Sequence, residues 1–192
     1  MVHRAVARDK KGAKEEGRTV LWVDESGFYP LPSVVRTYAP KGETPILHSY
    51  LTRDHISAIS AITLDGELFF HTQERSYTSK DVVRFLNHLL HHIPGKLLLI
   101  WDGAPIHKGK AVKEFLANGG SSRIHIEPLP GYAPDLNPDE GIWNYLKRVE
   151  LRNLCCANLT ELRHEFRLAV RRLRRKRHVI QGCIKHAGYH VV

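Results

Sequence analysis

The chain has 192 residues, of which 42% are hydrophobic and 26% are charged, which is ordinary for one globular domain and excludes an intrinsically disordered protein. Its longest apolar run, Leu97–Trp101, is far too short to span a bilayer, and the charged N-terminus is unlike a secretory signal. Three cysteines make no disulfide framework, so we expect a soluble protein of a reducing compartment without a membrane partner.

The formal net charge of +9 is concentrated at the two ends of the chain. Residues 163–177 carry eight Lys/Arg and one acid, residues 1–18 carry six Lys/Arg and three acids, and the rest is close to neutral. A dense basic segment is expected of a protein that binds the phosphate backbone, although a solvated surface helix has the same composition.

The first third of the chain predicts a leader followed by strands. Residues 1–18 show no hydrophobic period and indicate a flexible leader or the tail of an upstream segment, which leaves 19–192 as the structured domain. Thr19–Val23 predicts a short strand that ends at Asp24. The β-branched and aromatic residues over 33–70 predict two or three antiparallel strands, with a hairpin about Asp65-Gly66.

Helices and strands alternate after that hairpin. Thr78 is placed to cap a helix that ends near residue 94, and the apolar run that follows predicts a central strand that ends at Asp102. A helix over about 108–117 and a short strand over 124–126 come next. This order predicts an α/β fold with a mixed sheet flanked by helices.

Two further helices are predicted towards the end of the chain. Asn137 caps the first, which has Glu140 at its third position and an apolar stripe of Ile142, Leu146 and Val149. Asn158 caps the second, whose apolar residues face inward. The opposite side of this second helix carries the arginines that we predict to bind DNA: Arg163, Arg167, Arg171 and Arg174.

Three acids occupy positions that suit a metal site: Asp24, Asp102 and Glu140. Ligands gather where neighbouring strands end at one edge of an α/β sheet, and hard divalent ions prefer oxygen ligands. Each acid also has a local explanation, since the aspartates suit turns and the glutamate suits a capping box. The positions alone leave both interpretations open.

Three sequence blocks around these acids resemble the catalytic blocks of DDE transposases, and most closely those of bacterial insertion-sequence transposases of the mariner superfamily. The blocks are LWVDESG at 21–27, WDGAPIH at 101–107 and PDLNPDEGIW at 134–143. The third block, with 37 residues between Asp102 and Glu140, is the most specific. The resemblance implies a ribonuclease H-like fold, in which Asp24, Asp102 and Glu140 are the catalytic ligands of Mg²⁺ or Mn²⁺, with two ions expected. It assigns no role to Glu25, His107 or Asn137.

The resemblance also implies a function. It suggests a metal-dependent DNA endonuclease and strand transferase that acts at transposable-element ends, binds double-stranded DNA as a homodimer, and is cytoplasmic and nucleoid-associated in a bacterium. Relatives carry an N-terminal helix-turn-helix region that 18 residues cannot contain, so we expect either a separately encoded helix-turn-helix portion or a truncated copy. Two alternatives stay open: a non-catalytic DNA-binding remnant of a transposase, and a stand-alone ribonuclease H-like nuclease.

Overall fold

The structure, a computed structural model, describes residues 17–48, 53–131 and 133–189. The leader predicted over 1–18 lies outside these residues except for its last two, and it stays a prediction. Five strands form one sheet, in the spatial order β3-β2-β1-β4-β5. They are β1 (Arg18–Phe28), β2 (Ile56–Thr63), β3 (Leu68–Gln73), β4 (Lys96–Trp101) and β5 (Ile124–Pro128). The first three are antiparallel neighbours, whereas β4 and β5 run parallel to β1, so the predicted mixed sheet is confirmed.

Helices cover both faces of this sheet in the described part of the chain. They are α1 (Ser79–His92), α2 (Lys110–Ala117), α3 (Pro138–Tyr145), α4 (Leu159–Arg174) and α5 (Arg177–His186). One face of the sheet packs against α1 and α2, and the other packs against α3, α4 and α5. Because both faces are covered, the central strands are apolar on both sides: Val20 and Trp22 face one helical layer, and Leu21 and Val23 face the other.

The turns and caps predicted from local sequence are confirmed. The turn between β2 and β3 includes Gly66, whose φ of 82° suits a residue without a side chain. Thr78 and Asp81 form a capping box at α1. The side chains of Asn137 and Asn158 accept backbone hydrogen bonds at the starts of α3 and α4, respectively.

One prediction about strands is wrong, and another holds in part. The first strand does not end at Asp24, because β2 pairs with β1 as far as Phe28, although β4 pairs with β1 only up to Val23. Of the two or three antiparallel strands predicted over 33–70, two form, β2 and β3, whereas residues 34–48 form no strand and Ser33 makes only an isolated bridge to Arg152. Strand propensity needs a partner strand and a surface to pack on, and this segment remains largely exposed.

Two features of the last helices were not predicted. Val149 is 45% exposed instead of facing the core. The helical turn Leu146–Glu150 that continues α3 is a π-helix, which rotates later residues relative to an α-helical stripe. The helix α5 was also not predicted, because it begins at the end of the basic segment 163–177; it buries Ile180 and Ile184, which are one helical turn apart. No helix in the described ranges has the length and apolarity to cross a membrane.

Candidate active site

Asp24 and Glu25 are neighbours on β1 but face opposite sides of the sheet. Side chains alternate along a strand, so Asp24 lies on the same side as α3 and Glu25 lies on the opposite side. The hydrogen bonds agree with this alternation. Trp143 Nε1 on α3 donates to Asp24 Oδ2 at 2.9 Å, whereas His107 Nε2 lies 3.0 Å from Glu25 Oε1. Each acid therefore belongs to a different contact network.

Asp24 is only 8% exposed, and its surroundings disfavour its charge. Burial is the main cause, and together with the charges of Glu25 and Glu140 it raises the pKa of Asp24 to about 7, although the hydrogen bond from Trp143 acts in the opposite direction. A carboxylate that is shielded from water and has other acids nearby is stabilised by a bound cation.

Asp102 follows the last residue of β4 and is held differently. The pairing of β1 with β4 ends at Val23 opposite Trp101, and Asp24 and Asp102 are the residues that directly follow this last pair. Asp102 Oδ1 accepts from the backbone N–H of Ala104 at 2.9 Å and lies 2.9 Å from His107 Nδ1. The His107 hydrogen bond is the main cause that lowers the pKa of Asp102. The side chain is 49% exposed, and Oδ2 has no hydrogen-bond partner among the described residues.

His107 connects the two acidic blocks. It lies in a 3₁₀ turn, Pro105–Lys108, with its side chain fully covered and its ring stacked on Trp101 at a centroid distance of 4.4 Å and an interplanar angle of 4°. Burial opposes protonation, but the hydrogen bonds with Asp102 and Glu25 outweigh it and raise the pKa of His107 to about 10. The charged imidazolium donates from both ring nitrogens, one to each carboxylate.

Asp139 and Glu140 are adjacent on α3 but differ in exposure. Asp139 is completely buried and accepts a 2.5 Å hydrogen bond from Ser60 Oγ through Oδ1, whereas its Oδ2 has no partner among the described residues. Burial and then the charge of Asp24 raise the pKa of Asp139. Ser60 pairs with Asp24 across β1 and β2, which places Asp139 beside Asp24. Glu140 is exposed, yet its negative charge contributes to raising the pKa of Asp24.

Lys147 is a cation on the same side of the sheet. Its Nζ donates to Ser26 Oγ at 2.8 Å rather than to either neighbouring acid. Burial lowers the pKa of Lys147, and the charges of Glu140 and Asp24 oppose that shift. Lys147 therefore does not neutralise Asp24 by a direct ion pair.

The three predicted ligands do not enclose an ion in the described residues. Within residues 17–48, 53–131 and 133–189, no three Asp, Glu, His or Cys side chains converge closely enough to hold a metal. Asp24 and Glu140 interact electrostatically, whereas Asp102 contacts His107. The donor types still fit a hard divalent cation, because carboxylate oxygens are what such ions prefer and Asp24 gains from a counter-charge.

The predicted arginine stripe borders a groove between α4 and β3. The groove has a volume of about 440 Å³ and is lined by Phe70, His71, Thr72, Phe166, Arg167, Val170, Arg171 and Arg174. Arg163 lies outside it and pairs with Glu74, and Arg174 Nε donates to the carbonyl of Leu68. Arg167 and Arg171 have no ion pair or hydrogen bond within the described part of the chain, so the groove presents two exposed cations that no described side chain neutralises.

Sequence reasoning missed several residues that shape the site. Strand alternation could have placed Glu25 opposite Asp24, and the block that contains His107 marked this histidine without giving it a role. No sequence signal identified Ser60 as the partner of Asp139, because 79 positions separate them.

The chain is similar to known proteins both in sequence and in fold. A family model described as DDE superfamily endonuclease matches residues 19–163. No curated protein matches the chain significantly. The similar solved structures include a Mos1 transposase paired-end complex with the left transposon end (TM-score 0.63, 14% identity, 100% of this chain and 61% of that chain). They also include a mariner Mos1 paired-end complex with Mg (TM-score 0.62, 15% identity, 97% and 60%) and the catalytic domain of Mos1 mariner transposase (TM-score 0.55, 12% identity, 98% and 91%).

This likeness to solved structures concerns the fold. The chain spans about three-fifths of the length of the Mos1 chains in the paired-end complexes. It shares the ribonuclease H-like fold of the Mos1 catalytic domain, which confirms the fold expected from the three sequence blocks.

Proposed function

This chain belongs to the DDE superfamily endonuclease family, and on that premise we propose that it is the catalytic domain of a mariner-type transposase, which cuts DNA at transposable-element ends and joins them to a target. The observation that carries the proposal is the desolvated Asp24, whose pKa is raised by burial and by nearby acids at the edge where β4 ends. A fold alone would leave many functions open, whereas an acid in this setting points to cation-dependent chemistry.

Asp24, Asp102 and Glu140 would hold the divalent ions, Mg²⁺ or Mn²⁺ and two in number. Such a pair of ions, when bound, activates the attacking oxygen and stabilises charge on the leaving oxygen of a phosphodiester. Trp143 orients Asp24 through one oxygen, and Ala104 orients Asp102 through Oδ1. Mos1 structures that contain Mg or Mn support the use of a divalent ion.

Two phosphoryl transfers suffice for the proposed activity. In the first, a water oxygen bonds to phosphorus at the element end and the 3′-oxygen of the neighbouring nucleotide leaves as a hydroxyl. In the second, that 3′-hydroxyl oxygen bonds to a target phosphorus, and a target 3′-oxygen leaves. The chain itself forms no covalent intermediate, so its residues act by positioning and by charge.

Double-stranded DNA is the proposed partner, and the groove between α4 and β3 is a proposed contact surface. Arg167 and Arg171 support this, because both are exposed and neither is paired with another described residue. Arg163 and Arg174 complete the proposed set, although each already has a protein partner. We extend the proposal to a homodimer on DNA.

One assay distinguishes the proposal from its alternatives. The purified chain is incubated with a duplex that carries the inverted repeats flanking its gene and with a plasmid target, in Mg²⁺, in Mn²⁺ and in chelator. Metal-dependent joined products support a transposase catalytic domain. Cutting without joining indicates a stand-alone nuclease, and binding without cutting indicates a non-catalytic remnant.

A further inference from the structure

The bridge from Glu25 through the buried His107 to Asp102 is the feature that the proposed chemistry does not yet explain. His107 Nε2 lies 3.0 Å from Glu25 Oε1, and His107 Nδ1 lies 2.9 Å from Asp102 Oδ1. Glu25 and His107 are 82 positions apart in the sequence. The bridge therefore connects the first acidic block to the second by directional hydrogen bonds.

Several contacts fix the orientation of the imidazole ring. Its flat face stacks on Trp101, the last residue of β4, and no part of its side chain is exposed. Nδ1 also lies 3.3 Å from the backbone carbonyl of Asp102. With the ring plane set by Trp101 and both nitrogens occupied, the imidazole has little freedom to rotate.

This rigid ring has a direct consequence for Asp102. Its Oδ1 accepts from both His107 and the Ala104 N–H, so rotation of the carboxylate would break two hydrogen bonds at once. The exposed side chain keeps its other oxygen available for a ligand. A carboxylate fixed through one oxygen and open through the other is prepared to bind an ion.

We propose that His107 is a positioning residue that fixes the Asp102 carboxylate through Nδ1, is itself held by Glu25 through Nε2, and thereby leaves Asp102 Oδ2 open to a divalent ion. This inference rests on the proposed function. It assigns a supporting position behind the histidine to Glu25, which strand alternation places on the side of the sheet opposite Asp24.

The competing explanation is that His107 is only a flat, buried residue that packs on Trp101. Three substitutions separate the two explanations, because each keeps a different part of the imidazole. His107→Asn keeps a donor near the position of Nδ1, His107→Gln keeps one near that of Nε2, and His107→Phe keeps only the stacking surface.

The measurement is a calorimetric titration of each folded variant with Mn²⁺, whose midpoint reports the dissociation constant of the ion. Removal of a partner that orients a metal ligand weakens metal binding by about 10- to 100-fold. We therefore expect His107→Gln and His107→Phe to move the titration midpoint to Mn²⁺ concentrations about 10- to 100-fold higher. His107→Asn should keep a midpoint close to that of the wild type.

His125→Gln is the matched control, because it removes an exposed imidazole from β5 and reports any unspecific binding of Mn²⁺ to histidine. Wild-type midpoints in His107→Phe, or equal midpoints in His107→Asn and His107→Gln, would overturn the inference while the proposed function stands. A wild-type protein that shows no response to Mn²⁺ would remove the proposed function and this inference together.

Discussion

Two regions of the molecule, the N-terminus of α1 and the part of β1 that follows Val23, each bury an aspartate, but the hydrogen-bond donors and charges around the two carboxylates differ. At α1, the Asp81 side chain is 2% exposed, and Arg75 donates to its two oxygens at 2.7 Å each, with a further 2.6 Å bond from the Thr78 hydroxyl. These bonds, led by that of Arg75, lower the pKa of Asp81. At the edge of β1, Asp24 receives a single side-chain donor, Trp143, among the described residues, and its pKa is raised.

The difference shows that the partners of a buried carboxylate distinguish a structural role from a role in binding a cation. Asp81 is satisfied by protein donors and closes a capping box, so its charge serves the fold. Asp24 shares its surroundings with Glu25, Glu140 and the buried Asp139. None of the described residues pairs a cation directly with its charge, so a bound metal ion would stabilise it. Burial alone would not have distinguished the two aspartates.

The largest expected effect concerns catalysis by Asp102. Asp102→Asn removes a charged ligand without changing side-chain size, so metal-dependent cleavage should fall at least about 1,000-fold while the fold remains intact. Asp81→Asn is the matched control and should keep its cleavage rate at temperatures below its melting temperature, because Asp81 pairs with Arg75 and Thr78 and contacts none of the three proposed ligands in the described residues. Cleavage rates in Mg²⁺ and circular dichroism test this; wild-type cleavage by Asp102→Asn would contradict the assignment.

The second prediction concerns the pH dependence of stability without divalent ions. Burial raises the pKa of Asp24 from 3.8 to about 7, so the stability contributed by Asp24 is complete below about pH 4 and is lost as pH rises towards 7. The free energy of unfolding of the wild type relative to Asp24→Asn should therefore fall by about 4 kcal/mol over that window.

Asp81 should behave in the opposite way. Its pKa is lowered, first by Arg75, so its contribution is present above about pH 4 and is lost at lower pH. Asp81→Asn should cost about 1 to 3 kcal/mol at pH 7 and less in acid. Urea unfolding of the wild type and both variants in chelator from about pH 3 to 8 measures these differences. Slopes of the same sign for the two aspartates would contradict the contrast between these regions.

The third prediction concerns stabilisation by metal binding. An ion at about 100 times its dissociation constant adds about 2.7 kcal/mol, which should raise the melting temperature by about 5 to 10 °C in a protein of this size. Asp24→Asn and Glu140→Gln should each reduce that rise, whereas Asp81→Asn should keep it in full. Calorimetry with and without Mn²⁺ tests this prediction, and an undiminished rise in both site variants would place the ion elsewhere.

The smallest expected effect concerns two arginines that are exposed and have no ion-pair partner among the described residues. Arg167 and Arg171 lie in the groove between α4 and β3, and removing one phosphate interaction should flatten the dependence of log affinity on log salt concentration by roughly 0.9. Their double change to Ala should weaken binding equally for unrelated duplexes, since interactions with the DNA backbone do not read bases. Fluorescence anisotropy across a salt series measures the slope. An unchanged slope would exclude this groove from the DNA surface.

Much of the local structure could be predicted from the sequence. The hairpin at Gly66, the capping box of Thr78 and Asp81, and the apolar strand before Asp102 each depend on residues that are close in the chain. Periodicity and caps report such short-range interactions directly. The family and the fold could be predicted for a similar reason, because the resemblance rests on three blocks that are each contiguous in the sequence.

The sequence by itself thus determined which acids are candidates and which elements carry them, whereas the tertiary structure alone decided how each acid is held. Only strand pairing shows that β1 continues past Asp24, and only the π-helical turn after α3 explains the exposure of Val149. The hydrogen bonds of His107 with Glu25 and of Asp139 with Ser60 join residues 82 and 79 positions apart. The charge state of a buried acid depends on such distant partners and on the exclusion of water, neither of which a local pattern contains.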